Sequence, residues 1–336
     1  MTNLESQNAQ SNPLARAWKI NTGLTALIIF SLILLVSSIL GLIIDPRTTE
    51  LLGTPTWIKT FKFSVSSAIY GLTLLWALTL TEGRARRIAA IAANVVGWML
   101  TLELVLIVIQ GVRAQPIHFN YATPFDTVLW MSMTFGIITM FFGFIVLMFS
   151  VWRGIKANPV LAWAMRLGLI VTAFGLVQGF LMTGPNSVQL EALTSGRNVT
   201  VIGAHTVGAS SITPDNGPSL PLVGWSTTHG DLRIGHFVGL HALQVIPLLG
   251  LWLSRRREQW LRTSHRLGLV WIGALGFASL IALLTWQALR GQSIIAPDSQ
   301  TMLVFATMIG AILVSSLGVL AAARLSKNNY SNEVRQ

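Results

Sequence analysis

Long apolar runs separated by short polar stretches dominate the chain. Eight of them reach the roughly 20 residues needed to cross a bilayer as a helix. They lie near residues 20–44, 60–81, 88–110, 128–151, 164–183, 234–253, 267–288 and 301–323. Lipid cannot satisfy exposed backbone groups, and no ten-residue alternation of apolar and polar positions marks a barrel. The pattern therefore predicts an all-α fold, a polytopic membrane helix bundle of eight spans. Residues 1–19 read as a disordered polar tail and 325–336 as a second tail. The first run exceeds a secretory apolar region and no A-x-A site follows, so it is expected to be a retained span.

One connection stands apart. Residues 184–233 form a segment rich in Gly, Ser, Thr and Pro between spans five and six. It also carries Val199, Val201, Ile202, Leu220, Leu222, Val223 and Trp225. A packed lid and a floppy linker both fit such a composition.

The runs also repeat. Leu14-Ala15-x-Ala17-x-Lys19 matches Leu161-Ala162-x-Ala164-x-Arg166, and Lys59, Lys62-Phe63 and Ala68 match Arg233, His236-Phe237 and Ala242. Arg87 and Gly97 match Arg266 and Gly276, and Arg113-x-Gln115-x-Ile117 matches Arg290-x-Gln292-x-Ile294. Four successive spans match in order, which predicts two parallel four-helix repeats, 20–158 and 159–324, with 184–233 inserted in the second. A pseudo-two-fold axis along the membrane normal is expected to relate them.

Charge orients the bundle. With the N-terminus in the cytoplasm, 16 of the 23 Lys and Arg fall inside and seven outside. The positive-inside rule thus places both termini in the cytoplasm and residues 184–233 outside. The formal net charge of +11 does not imply nucleic acid, because the basic residues sit in short clusters between apolar runs. Charged residues make up only 10% and apolar ones 52%, which argues against a soluble domain or a disordered chain. Mean hydropathy is +0.63. The absence of Cys excludes disulfides, thiolate metal sites, iron–sulfur clusters, Cys nucleophiles and covalently attached haem.

The polar chemistry gathers at the outer side. Five of the six His are assigned there: His118, His205, His229, His236 and His241; His265 lies on the cytoplasmic side. His236 and His241, five apart, diverge by roughly 140° around a helix and cannot readily chelate one metal. A metal site on His229 or His236 would draw on a second segment, with His205, His118 and Glu103 as candidates. Haem b needs less: one axial His, from His236 or His241, a partner such as His118, and Lys59, Lys62 and Arg233 for the propionates. The competing reading gives each His a neighbouring carbonyl and lets the Lys stems snorkel. Glu103 is the one acidic residue inside a predicted span, a costly placement that marks a site or an ion pair. It shares a helical face with Gln110, Arg113 follows at the mouth, and Gln244 lies one turn beyond His241; together they form a candidate substrate site or proton relay. Gly235-x-x-x-Gly239 permits close approach of another helix or a flat ligand. No Walker loop, Rossmann motif, H-E-x-x-H or G-x-S-x-G is present.

Pro55-x-Trp57-x-Lys59, His118-Phe119-Asn120, Gly217-Pro218 and the run from Gly224 through His236-Phe237-Val238-Gly239-Leu240-His241 to Gln244 resemble an uncharacterised group of bacterial polytopic membrane proteins. The resemblance covers most of the chain and carries no activity to transfer. It implies a bacterial plasma membrane. Two functions follow as expectations. One is a redox protein binding haem b or a metal at an outward-facing site, with a quinone or another membrane redox partner. The other is a transporter with a polar site between the halves. In both, spans two, three and six are expected to meet around one outer cavity.

Overall fold

The structure is a computed structural model that describes residues 13–49 and 53–333. It is mostly helical, and eight of its helices are long and apolar enough to cross a membrane. A short helix α1 (Pro13–Ile20) precedes them. It occupies the end of the stretch expected to be a disordered tail; Pro13 suits a first helical turn and good helix formers follow. Residues 1–12 lie outside the described residues.

Two compact units divide the chain: residues 1–155 with 182–226, and residues 156–181 with 227–336. The first unit holds α2 (Thr22–Ile44), α3 (Thr56–Thr79), α4 (Gly83–Val112) and α5 (Pro124–Gly154). Helix α2 packs on α3 and α4, α3 packs on α4, and α4 packs on α5. The α2–α4 crossing is tight because both helices offer glycine: a Cβ on Gly97 would fall on the backbone of Gly23. Asn21 caps α2 by accepting from Leu24 N at 2.9 Å, and it donates to the Ala90 carbonyl at 2.8 Å. Leu27, Leu34, Leu104, Ile107 and Met133 fill the core below. At the far end of α2, Arg47 and the Trp57 indole hold the Asp45 carboxyl well below the usual carboxylate range.

The second unit holds α6 (Pro159–Gln178), continued by a 3₁₀ turn (Gly179–Met182) that crosses the unit boundary in sequence, then α8 (Leu232–Leu240), α9 (Ala242–Ser254), α10 (Thr263–Leu289) and α11 (Ser299–Glu333). Helices α8 and α9 form one span interrupted at His241, and Pro247 withholds a backbone donor inside α9. Helix α6 packs on α8, α9 and α10, α8 and α9 pack on α10, and α10 packs on α11. Gly175 and Gly239 meet at the α6–α8 crossing, where a Cβ on either would collide with the other residue's backbone.

The third long helix of each unit ends in the same way. In α4, Gln115 N–H donates to Gln110 O at 3.1 Å and Ala114 N–H to Gly111 O at 3.0 Å. In α10, Gln292 N–H donates to Gln287 O at 3.2 Å and Gly291 N–H to Ala288 O at 2.8 Å. Both are Schellman caps, with Ala114 (φ 56°) and Gly291 (φ 71°) in the left-handed position. In each cap the helix glutamine donates to a carbonyl six residues on, Gln110 to Pro116 at 3.3 Å and Gln287 to Ser293 at 2.9 Å. In each, the capping arginine pairs with an aspartate at the start of the next helix, Arg113 with Asp126 and Arg290 with Asp298.

Residues 182–226 are neither structureless nor attached to the unit that their sequence neighbours build. They carry α7 (Ser187–Thr194), opened by a capping box of Asn186 and Gln189. The fully buried Gln189 amide then donates to the carbonyls of Val201, Gly203 and Ile212 at 3.0–3.2 Å. The segment belongs to the first unit, where Tyr121 N–H donates to Thr200 O at 2.8 Å and Ile202 N–H to Phe119 O at 3.1 Å.

Candidate functional site

The first unit concentrates titratable side chains where the loop after α4 folds back into the bundle. Ile117 and Phe119 are buried, each 4% exposed, so hydrophobic burial pulls the loop inward and carries His118 with it. The backbone yields to this at Phe119, whose φ of 62° lies in the left-handed region that a bulky residue avoids. Gly203 (φ 114°) of the 182–226 segment lies against the Phe119 ring; a Cβ there would approach the ring to 2.7 Å and the Met182 carbonyl to 2.9 Å.

His118 is held between a lysine and a carboxyl group. Lys59 Nζ, in the first turn of α3, lies 3.4 Å from His118 Nδ1. His118 Nε2 lies 3.6 Å from Glu103 Oε1. An ammonium can only donate, so Nδ1 is the accepting nitrogen and Nε2 carries the proton towards Glu103. The second distance is just beyond ordinary hydrogen-bond reach and within ion-pair reach. Glu103 itself is 4% exposed, nine residues inside the end of α4, and among the described residues no group hydrogen-bonds its Oε2. Aromatic rings wall the imidazole, with Trp130 at 5.7 Å, Phe119 at 6.0 Å and Phe63 at 6.1 Å between centroids.

The 182–226 segment supplies a second pair. His205 Nδ1 lies 2.6 Å from Asp215 Oδ2, and the same carboxylate accepts from the backbone N–H of His205 at 3.0 Å and of Thr206 at 2.9 Å. The His205 and His118 ring centroids are 6.1 Å apart. A cavity of about 30 Å³ opens here, lined by Lys59, His118, Phe119, His205 and Asp215 among others. It has room for a water molecule.

The remaining sequence-derived candidates take other places. Lys62 donates to the Val223 carbonyl at 2.8 Å. Gln110 and Arg113 do not extend the Glu103 site; both bond Asp126, at 3.0 and 2.6 Å, in the cap described above. In the second unit, Arg233 pairs with the buried Asp231 at 2.5 Å, and His229 Nδ1 lies 2.9 Å from Thr228 Oγ1. His236 Nδ1 lies 2.8 Å from the Gly175 carbonyl, and His241 Nδ1 lies 3.1 Å from Gln244 Oε1. Of the metal candidates, Glu103 and His205 belong to the first unit and His229 and His236 to the second. Among the described residues no group of three or more His, Asp or Glu is disposed to hold a metal ion.

Two participants escaped the sequence reading. Asp215 sits in Pro214-Asp215-Asn216-Gly217, which reads as an ordinary turn. Gln189 was legible in principle, since Asn186-x-x-Gln189 is a capping-box pattern. No family model, curated protein or solved structure matches the chain.

Proposed function

We propose that the chain is a proton-linked membrane transport protein, with Glu103 as the proton-accepting carboxylate inside the membrane. The observation that carries this reading is the Lys59–His118–Glu103 line, at 3.4 and 3.6 Å, ending on a buried carboxylate oxygen that takes no hydrogen bond among the described residues. A carboxylate placed so costs several kcal/mol unless it is paired or protonated. A structural ion pair would spend both oxygens on donors. Here one oxygen stays open to a proton, and the neighbouring imidazole can pass its Nε2 proton to the carboxylate as its Nδ1 takes up another.

The reading takes the positive-inside orientation, with both termini in the cytoplasm of a bacterial plasma membrane and residues 182–226 outside. It also takes the chain as two copies of a four-helix unit. The same order of pairwise packing in both units and the matched Gln–Arg caps of α4 and α10 support the duplication. The copies differ where it matters: aligning those caps sets Leu280 opposite Glu103, so the carboxylate belongs to the first unit alone.

The test is proton flux. Purified protein in vesicles containing a pH-sensitive dye, driven by a potassium diffusion potential, should acidify the lumen. Glu103→Gln keeps the shape and removes the acid, and should abolish the flux. Equal flux in both would refute the reading.

A second reading, haem-linked redox chemistry, draws on one observation. A carbonyl can only accept, so His236 Nδ1 donates to Gly175 O and leaves Nε2 as the lone-pair nitrogen, the tautomer that ligates iron. A Soret band that shifts on reduction, and is lost in His236→Ala, would favour it.

A further inference from the structure

We propose that His205, oriented by Asp215, is the port through which protons reach Glu103, with water in the neighbouring cavity as the link. The inference rests on the proton-linked reading above and names the residues by which that site meets the solvent.

The dyad is built to present one nitrogen. Asp215 accepts two backbone N–H groups besides the His205 ring, so its carboxylate is held in place by contacts other than the imidazole. The 2.6 Å contact places the proton of neutral His205 on Nδ1. The lone pair is then on Nε2, and the adjacent carboxylate stabilises the imidazolium that forms when Nε2 takes up a proton. Gln189 fixes the backbone on either side of the dyad through the carbonyls of Gly203 and Ile212.

The gap to the inner site matches a water. Ring centroids 6.1 Å apart are too distant for direct bonding between most edges of two imidazoles, and close enough for one bridging molecule. The cavity of about 30 Å³ beside them has the room, and Lys59, His118, His205 and Asp215 are among its lining residues, from which a water would draw its polar partners. The transfer balances without a co-reactant. His205 Nε2 takes up a proton from the outer solution and gives it to the cavity water, which passes one of its own protons to His118 Nδ1 as the Nε2 proton of His118 moves to Glu103. Among the described residues, Asp215, His118 and Lys59 are charged or titratable groups beside His205, and each belongs to this path.

The test uses the full-length protein in dye-loaded vesicles. His205→Ala should lower proton flux at least about tenfold, and imidazole added to the outer buffer should restore much of it, because a free imidazole can occupy the vacated space. Asp215→Asn, which cannot stabilise the imidazolium, should slow flux without rescue. A merely structural His–Asp pair gives no rescue: loss of flux that imidazole does not restore, in a His205→Ala protein of wild-type thermal stability, overturns the proposal. So does wild-type flux in His205→Ala. Glu103→Gln run in parallel reports on the reading beneath, which falls if that variant conducts like wild type, whatever His205 does.

Discussion

At the scale of single residues, the site depends on backbone positions that few side chains can occupy. Gly203 combines a φ of 114° with a Cβ direction aimed at the Phe119 ring. Gly203→Ala should therefore cost about 1–3 kcal/mol and loosen the residues around His205, read as a lower unfolding temperature in detergent. Ala114 is the converse. It occupies the left-handed cap position that Gly291 fills in the second unit. Ala114→Gly should stabilise the protein by about 1 kcal/mol, and Gly291→Ala should destabilise it by a similar amount. Opposite shifts in a paired thermal-unfolding experiment would support the equivalence of the two caps; equal signs would contradict it. None of this strain is visible in residue types alone, because alanine and phenylalanine ordinarily avoid positive φ.

At the scale of elements, the apolar runs located every span, and the capping chemistry corrected their starts. The pattern opens span four near 128 and span five near 164, whereas α5 begins at Pro124 and α6 at Pro159. Thr123 and Asn158 cap them, accepting from Asp126 N at 3.1 Å and Leu161 N at 3.0 Å. A polar cap followed by proline is a helix start that hydropathy averages away. The α10–α11 corner carries a pH dependence with a definite sign. Arg290 holds the Asp298 carboxyl below the usual carboxylate range, with Thr301 N–H adding a second donor. A depressed carboxylate pKa contributes stability above the unfolded value of about 3.9, lost as pH falls below it. The acid-induced drop in unfolding temperature below that pH should therefore shrink in Asp298→Asn. An unchanged drop would show that the pair contributes nothing.

At the scale of the whole molecule, hydropathy and charge read the class, and could not read which unit owns the long segment. Residues 184–233 follow span five in sequence, yet 182–226 belong to the first unit. Bonds such as Tyr121 N–H to Thr200 O run between backbone groups, which every residue carries and no sequence pattern announces. The candidate site was half legible for the same reason. Glu103, His118, Lys59 and His205 stood out as costly or reactive residues, while Asp215 looked like part of a turn. Orientation is directly testable because the chain has no Cys. A single Cys at the exposed Ser210 should react with an impermeant thiol reagent in intact cells. Labelling only after permeabilisation would reverse the topology.

If protons cross by way of Glu103, charge moves with them. The most direct measurement is the electrical response of vesicles adsorbed on a supported membrane when the outer solution is stepped to lower pH. Wild-type protein should give an inward current that grows with the size of the step, and Glu103→Gln should give none beyond that of protein-free vesicles. Currents of equal size from the two proteins would show that Glu103 carries none of that charge.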